Sequence, residues 1–188
     1  MIESIGSADE TSTESKKSAL AYERENGWKK ITEAERTHVE EYCRGYIDFL
    51  SDAKTEREAH DLALKDAVSK GYKNLSSCIA NNTRLHPGDT VYRSFQGRTL
   101  FLCKIGQRPL SDGVRIIGAH IDSPRLDLKQ SPLYEDSELA FFDTHYYGGI
   151  KKYQWVAIPL AIHGVIVKQD GEKITFSIGE DPCDPVFT

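Results

Sequence analysis

The feature that most constrains this chain is a change of texture at Gly71. Upstream, apolar residues recur three and four positions apart. Downstream, they gather in short runs separated by turn residues. Thr32 followed by Glu35 predicts a capping box, in which side chains satisfy the first free N–H groups of a helix. Val39, Tyr42, Cys43, Tyr46, Ile47 and Leu50 then form one apolar stripe. Thr55 with Glu58 predicts a second box, opening a helix with Ala59, Leu62, Ala63 and Ala67 on one face and Gly71 as its stop. Residues 18–30, with Leu20, Tyr22 and Trp28, read as a further short helix.

Leu75–Asp89 carries loop signals, including Asn81-Asn82 and His86-Pro87-Gly88. Thr90–Phe95 and Thr99–Lys104 read as a hairpin around Gln96-Gly97-Arg98. Val114–Ala119 is a short apolar run of the kind that forms a buried strand. Trp155–Val167 is apolar and β-rich apart from Pro159 and Gly164, and Gln169-Asp170-Gly171 turns it into Lys173–Ile178. Helices first and strands later imply an α/β or α+β chain. The sequence stops just after a strand with no helix to close its sheet, which reads as a fragment, since an open sheet edge invites aggregation.

A net charge of −5 across 188 residues argues against nucleic acid as a partner, because phosphate contacts need clustered Lys and Arg. Lys16-Lys17 and Lys151-Lys152 are isolated basic pairs and read as solvated charge. No apolar run approaches the ~18 residues of a membrane span. Residues 1–18 are rich in Ser, Thr and Glu, without the apolar stretch of a secretory signal, and read as a disordered tail. Cys43, Cys78, Cys103 and Cys183 form no C-x-x-C pair and read as free thiols of a cytoplasmic protein.

The chemistry sits in Ile116-Ile117-Gly118-Ala119-His120-Ile121-Asp122-Ser123-Pro124-Arg125-Leu126-Asp127. On a strand, His120 and Asp122 point to the same side. A metal-bound imidazole usually donates its other ring N–H to a carboxylate, which fixes the tautomer and strengthens the ligand. His-x-Asp at a strand end can supply both parts. The bare tripeptide serves packing equally well, as a His satisfied by a neighbouring Asp.

Residues 118–127 resemble the signature of the aspartyl aminopeptidase and aminopeptidase I family of dinuclear zinc exopeptidases. The likeness continues in Lys54-Thr55-Glu56-Arg57-Glu58, in Tyr146-Tyr147-Gly148-Gly149-Ile150 and in Ile158–Val167, in family order and across about residues 20–188. It is a likeness to the bacterial branch. It implies an α/β zinc-exopeptidase-like catalytic domain, here its N-terminal part over residues 19–145, and the start of an inserted β-rich domain over 146–188. It implies a metallo-aminopeptidase that takes peptide substrates and assembles as a homo-oligomer. His120 matches the first zinc ligand, and Asp122 the catalytic-site carboxylate that orients it. Two zinc ions per subunit are expected in the complete site, with cobalt or manganese as alternatives. The remaining ligands and the general-base Glu of the family lie beyond residue 188, so the chain alone is expected to be inactive.

Other residues leave alternatives open. His163 is a strand histidine satisfied locally, or one that reaches substrate in a neighbouring subunit's site. His145–Gly149 is a linker turn or a cleft wall. His38 and His60 read as exposed or packing residues of helices, and Asp127 and Glu135–Glu138 as solvated acids. A non-catalytic scaffold of the same family is the alternative to an enzyme. A small β-rich binding module with a chance His-x-Asp is the reading from another class.

Overall fold

The structure, a computed structural model, describes Tyr22 and residues 24–188. The expected disordered tail and Leu20 lie outside the described residues. Described residues of the first 42 and residues 43–188 form separate compact units. In the first unit, the described residues of the short helix expected over 18–30 form a 3-10 turn at Gly27–Lys29, capped by the Asn26 side chain. α1 (Glu33–Asp52) begins there. Its capping box is formed: the Thr32 amide donates to Glu35 Oε2 at 2.8 Å, and the Glu35 amide to Thr32 Oγ1 at 3.2 Å. Those donors hold the Glu35 carboxyl below its ordinary range, the backbone bond contributing most.

In the second unit, α2 (Glu56–Ser69) opens on the other box. The Thr55 amide donates to Glu58 Oε2 at 2.9 Å, and the Glu58 amide returns to Thr55 Oγ1 at 3.3 Å. The helix stops where expected: Gly71 adopts φ 82°, and the Tyr72 and Gly71 amides bond back to Ala67 and Val68. A left-handed residue after the last turn lets these amides cap the helix's free carbonyls.

β1 (Lys73–Asn74) pairs parallel with β2 (Thr90–Phe95), and β2 antiparallel with β3 (Thr99–Lys104). The hairpin turns at Gln96 and Gly97, both at positive φ. α2 packs on this sheet. Ala59, His60 and Ala67 from α2 and Val91 from β2 are buried, with Ala53 and Cys78 alongside. Between β1 and β2 the structure corrects one reading. Leu75–Ala80 forms α3, capped by Asn74, whose side chain accepts from the Ser76 amide at 2.9 Å. Asn82 closes it at φ 50°. The loop signals belong to its ends.

β4 (Arg125–Asp136) and β5 (Leu139–Tyr147) form a long antiparallel hairpin. Its two-residue turn places Ser137 and Glu138 at φ 54° and 66°, the geometry whose twist matches that of the flanking strands. The register shifts between Leu128 and Leu133, at Ser131-Pro132, where proline's missing N–H is tolerated. β6 (Ile162–Val167) and β7 (Lys173–Ile178) form the other expected hairpin, although the strand starts later than Trp155. Gly164 faces Phe176 across this ladder, and a Cβ at Gly164 would lie 2.4 Å from the Phe176 Cζ. The phenyl ring therefore occupies the space above the glycine.

A second correction concerns Val114–Ala119. The segment has no regular structure and is unpaired, and Ile116 and Ile117 are 83 % and 99 % exposed. A buried strand needs neighbours on both edges and cover on both faces. Among the described residues, none runs beside this one.

Candidate metal centre

Residues 113–124 lie between β3 and β4 without regular structure, so His120 and Asp122 sit on irregular chain rather than on a strand end. The pairing expected of them is nevertheless formed. His120 Nδ1 lies 2.9 Å from Asp122 Oδ1. With Nδ1–H donating, Nε2 of the neutral ring presents its lone pair outward, the form a metal ligand requires. The imidazole is 84 % exposed, whereas the carboxylate is half-buried. Asp122's own backbone N–H holds its carboxyl below the ordinary range. His120 and the Tyr147 hydroxyl add to this against desolvation.

The β4–β5 hairpin begins three residues after Asp122. Arg125 opens β4 and pairs across the ladder with Tyr147, the last residue of β5. Its guanidinium carbon stands 4.1 Å from the Tyr147 ring centroid. Nε donates to Asp127 Oδ1 at 2.7 Å, and Nη1 lies 3.5 Å from Glu56 Oε2 on α2. The two carboxylates keep the guanidinium charged against its burial. A cleft of about 620 Å³ is lined by Glu56, His60, Gln96, His120, Asp122 and Tyr147, among others.

His60, expected as a surface or packing residue, is 2 % exposed. It bonds through Nε2 to Ser94 on β2 at 2.8 Å and through Nδ1 to Asp61 at 2.7 Å. It is a packing residue that ties α2 to the sheet behind the cleft.

His163 lines a different cleft. On β6, its Nδ1 lies 2.7 Å from Glu58 Oε1 and its Nε2 2.8 Å from Glu180 Oε1. Only the imidazolium can donate from both nitrogens at once. Burial pushes its pKa down, but the two carboxylates more than offset this and hold it above the ordinary value. Neither nitrogen is free for metal or substrate in this arrangement.

The donor chemistry at His120 fits zinc: an imidazole with one nitrogen on a carboxylate and the other without a protein partner among the described residues. It supplies one donor, while a zinc ion takes about four. Among the described residues, no group of three or more His, Cys, Asp or Glu side chains is placed to hold a metal ion. Arg125 carries no role of its own in the sequence reading, and Tyr147 enters it only within His145–Gly149, a linker turn or a cleft wall; the structure places His145–Tyr147 at the end of β5, with Tyr147 lining the cleft. Their signal was their position, directly after the Ser-Pro that follows Asp122 and directly before Gly148-Gly149.

Comparison with known proteins identifies the family. The model of the aminopeptidase I zinc metalloprotease family (M18) matches residues 49–188. A probable M18 family aminopeptidase 1 from Clostridium acetobutylicum is 50 % identical over 168 residues, covering 89 % of this chain and 36 % of the relative. One from Thermotoga maritima is 40 % identical over 169 residues, covering 90 % and 36 %. The crystal structure of aminopeptidase I from Borrelia burgdorferi B31 superposes with TM-score 0.79 at 40 % identity, over 87 % of this chain and 39 % of that one. That of aminopeptidase I from Clostridium acetobutylicum gives 0.76 at 48 %, over 89 % and 37 %. The chain thus spans little more than a third of the length of the curated relatives it matches. With a family match across most of its length and the His120–Asp122 pair in place, this chain belongs to the M18 family of aminopeptidase I zinc metalloproteases.

Proposed function

We propose that the chain is the N-terminal portion of a zinc-dependent aminopeptidase that releases N-terminal amino acids from peptides. One observation carries this reading: an exposed imidazole whose Nδ1 is held at 2.9 Å by a half-buried carboxylate, which leaves Nε2 available. His120 would hold one zinc ion of a two-ion site, with cobalt or manganese as substitutes, and Asp122 would fix its tautomer. When bound, zinc lowers the pKa of its water and polarises a peptide carbonyl. Within this chain, the work is to present the ligand and keep it in one orientation. The unpaired, exposed segment at Ile116-Ile117 supports a longer protein in which further strands cover it.

In this reading residues 19–145 belong to the catalytic domain and residues 146–188 begin an inserted β-rich domain that carries homo-oligomer contacts. His163 serves an inter-subunit or substrate role only if it releases Glu58 or Glu180. The four unpaired thiols suit the cytoplasm.

The 188-residue chain alone would be inactive, because one imidazole cannot fix two metal ions. That observation also favours a second reading, a non-catalytic scaffold. Zinc titration followed at the His120 ring nitrogens separates the two. A shift confined to Nε2 supports the enzyme reading, whereas no shift up to millimolar zinc favours the scaffold. Robust zinc-dependent aminopeptidase turnover by the chain alone would overturn its inactivity.

A further inference from the structure

We infer that His163 and Glu58 form a proton-operated latch that holds the β6–β7 hairpin to α2 across the larger cleft. The latch is independent of the metal-ligand reading of His120. The first turn of α2 carries two carboxylates two residues apart, and each grips a different hairpin. Glu56 Oε2 lies 3.5 Å from Arg125 Nη1 on β4, and Glu58 Oε1 lies 2.7 Å from His163 Nδ1 on β6. Among the described residues, Glu58–His163 is the side-chain hydrogen bond that joins α2 to β6–β7. Both residues line a cleft of about 1560 Å³.

The two grips answer pH differently. A guanidinium keeps its charge throughout the range in which an imidazole titrates. The His163 ring contacts Glu58 through Nδ1 and Glu180 Oε1 through Nε2 at 2.8 Å, an arrangement that only the imidazolium satisfies. Arg57, Asp61 and Lys65 of α2, Asp127 of β4 and Lys173 of β7 line the same cleft without bonding the ring, as do Asp52 and Lys54 ahead of α2. When the ring loses its proton, one nitrogen turns a lone pair toward a carboxylate oxygen. Whichever nitrogen keeps its hydrogen, the contact with Glu58 loses its charge assistance, and with it about half its strength. Glu180 follows β7 on the hairpin side, so a neutral ring that donates to Glu180 moves with the hairpin. Glu58 keeps its capping bond to Thr55 through Oε2. Deprotonation therefore loosens β6–β7 from α2 and opens the cleft, while β4–β5 stays held through Arg125. Burial lowers the ring's pKa, but the two carboxylates more than offset this, so release comes above the ordinary 6.5.

The test reads the cleft through Trp155, which lines it and is half-buried. Trp28 is the other tryptophan, so the whole chain carrying Trp28→Phe reports on Trp155 alone. Acrylamide quenching of Trp155 is measured across the range in which imidazoles titrate, and the His163 ring is followed on the same chain by nitrogen-15 NMR. Quenching should rise with pH, with a midpoint above 6.5 that coincides with titration of the ring. His163→Gln should abolish the rise. Glu180→Gln, at an exposed position, removes one of the two carboxylates and should move the midpoint down. It decides the matter if His163→Gln does not fold. Quenching that does not change with pH overturns the latch. So does an equal rise in folded His163→Gln, or an unmoved midpoint in Glu180→Gln.

Discussion

Glu58 holds two distant parts of the chain with one carboxylate: Oε2 caps α2 through Thr55, and Oε1 bonds His163 Nδ1 at 2.7 Å, 105 residues further on. This ties the β6–β7 hairpin to the start of α2. Losing the cap alone should cost about 1 kcal/mol. Glu58→Gln and His163→Gln, singly and together, form a double-mutant cycle. Denaturant unfolding should return a coupling of about 1 kcal/mol, within the range for residues in one hydrogen-bonded network. Additive effects would mean that the contact contributes nothing.

The same histidine predicts a pH dependence. Facing Glu58 from α2 and Glu180 after β7, its folded-state pKa is raised above the 6.5 of a free imidazole. A raised pKa stabilises the fold fully below the unfolded value and loses that contribution as pH rises through the folded one. Stability should therefore fall from about pH 6.5 upward, where other carboxylates are already ionised. His163→Gln should flatten the curve in that window. Urea midpoints measured from pH 5.5 to 8.5 check this, and an identical slope in the variant would refute it.

Gly164→Ala should destabilise the β6–β7 hairpin. The new methyl would meet Phe176 ring atoms at 2.4 and 2.7 Å, so the ring must leave its position over the strand. Overpacking of this kind costs about 1–3 kcal/mol. Gly164→Ala combined with Phe176→Leu should recover part of the loss in thermal unfolding.

His120→Ala separates folding from function. The ring is 84 % exposed, and among the described residues it bonds Asp122 alone. Surface substitutions away from caps and cores change stability by less than about 0.5 kcal/mol. Unfolding of His120→Ala should match the unmodified chain within that margin, while the zinc response at the site disappears.

Legibility in the sequence followed the range of the interaction. Both capping boxes and the Gly71 stop are local patterns, and all three formed as expected. The hairpins at Gln96-Gly97 and Asp170-Gly171 announced themselves through glycine. The β4–β5 hairpin did not, because Ser137 and Glu138 adopt positive φ without a glycine, and Ser131-Pro132 interrupts the alternation. Val114–Ala119 has the composition of a buried strand, but a strand exists only when another pairs with it. His120 and Asp122 sit two residues apart, so their bond could be foreseen. The His163–Glu58 contact joins segments that no local reading connects.

The most direct test of the central claim uses the protein encoded by the whole open reading frame that contains this chain, compared with its His120→Ala variant. Zinc content and release of N-terminal residues from a peptide are measured on both. The account predicts bound zinc and turnover in the unmodified protein, with turnover falling at least about a thousandfold in the variant, ~4 kcal/mol of lost transition-state stabilisation. Full zinc content and undiminished turnover in His120→Ala would contradict it.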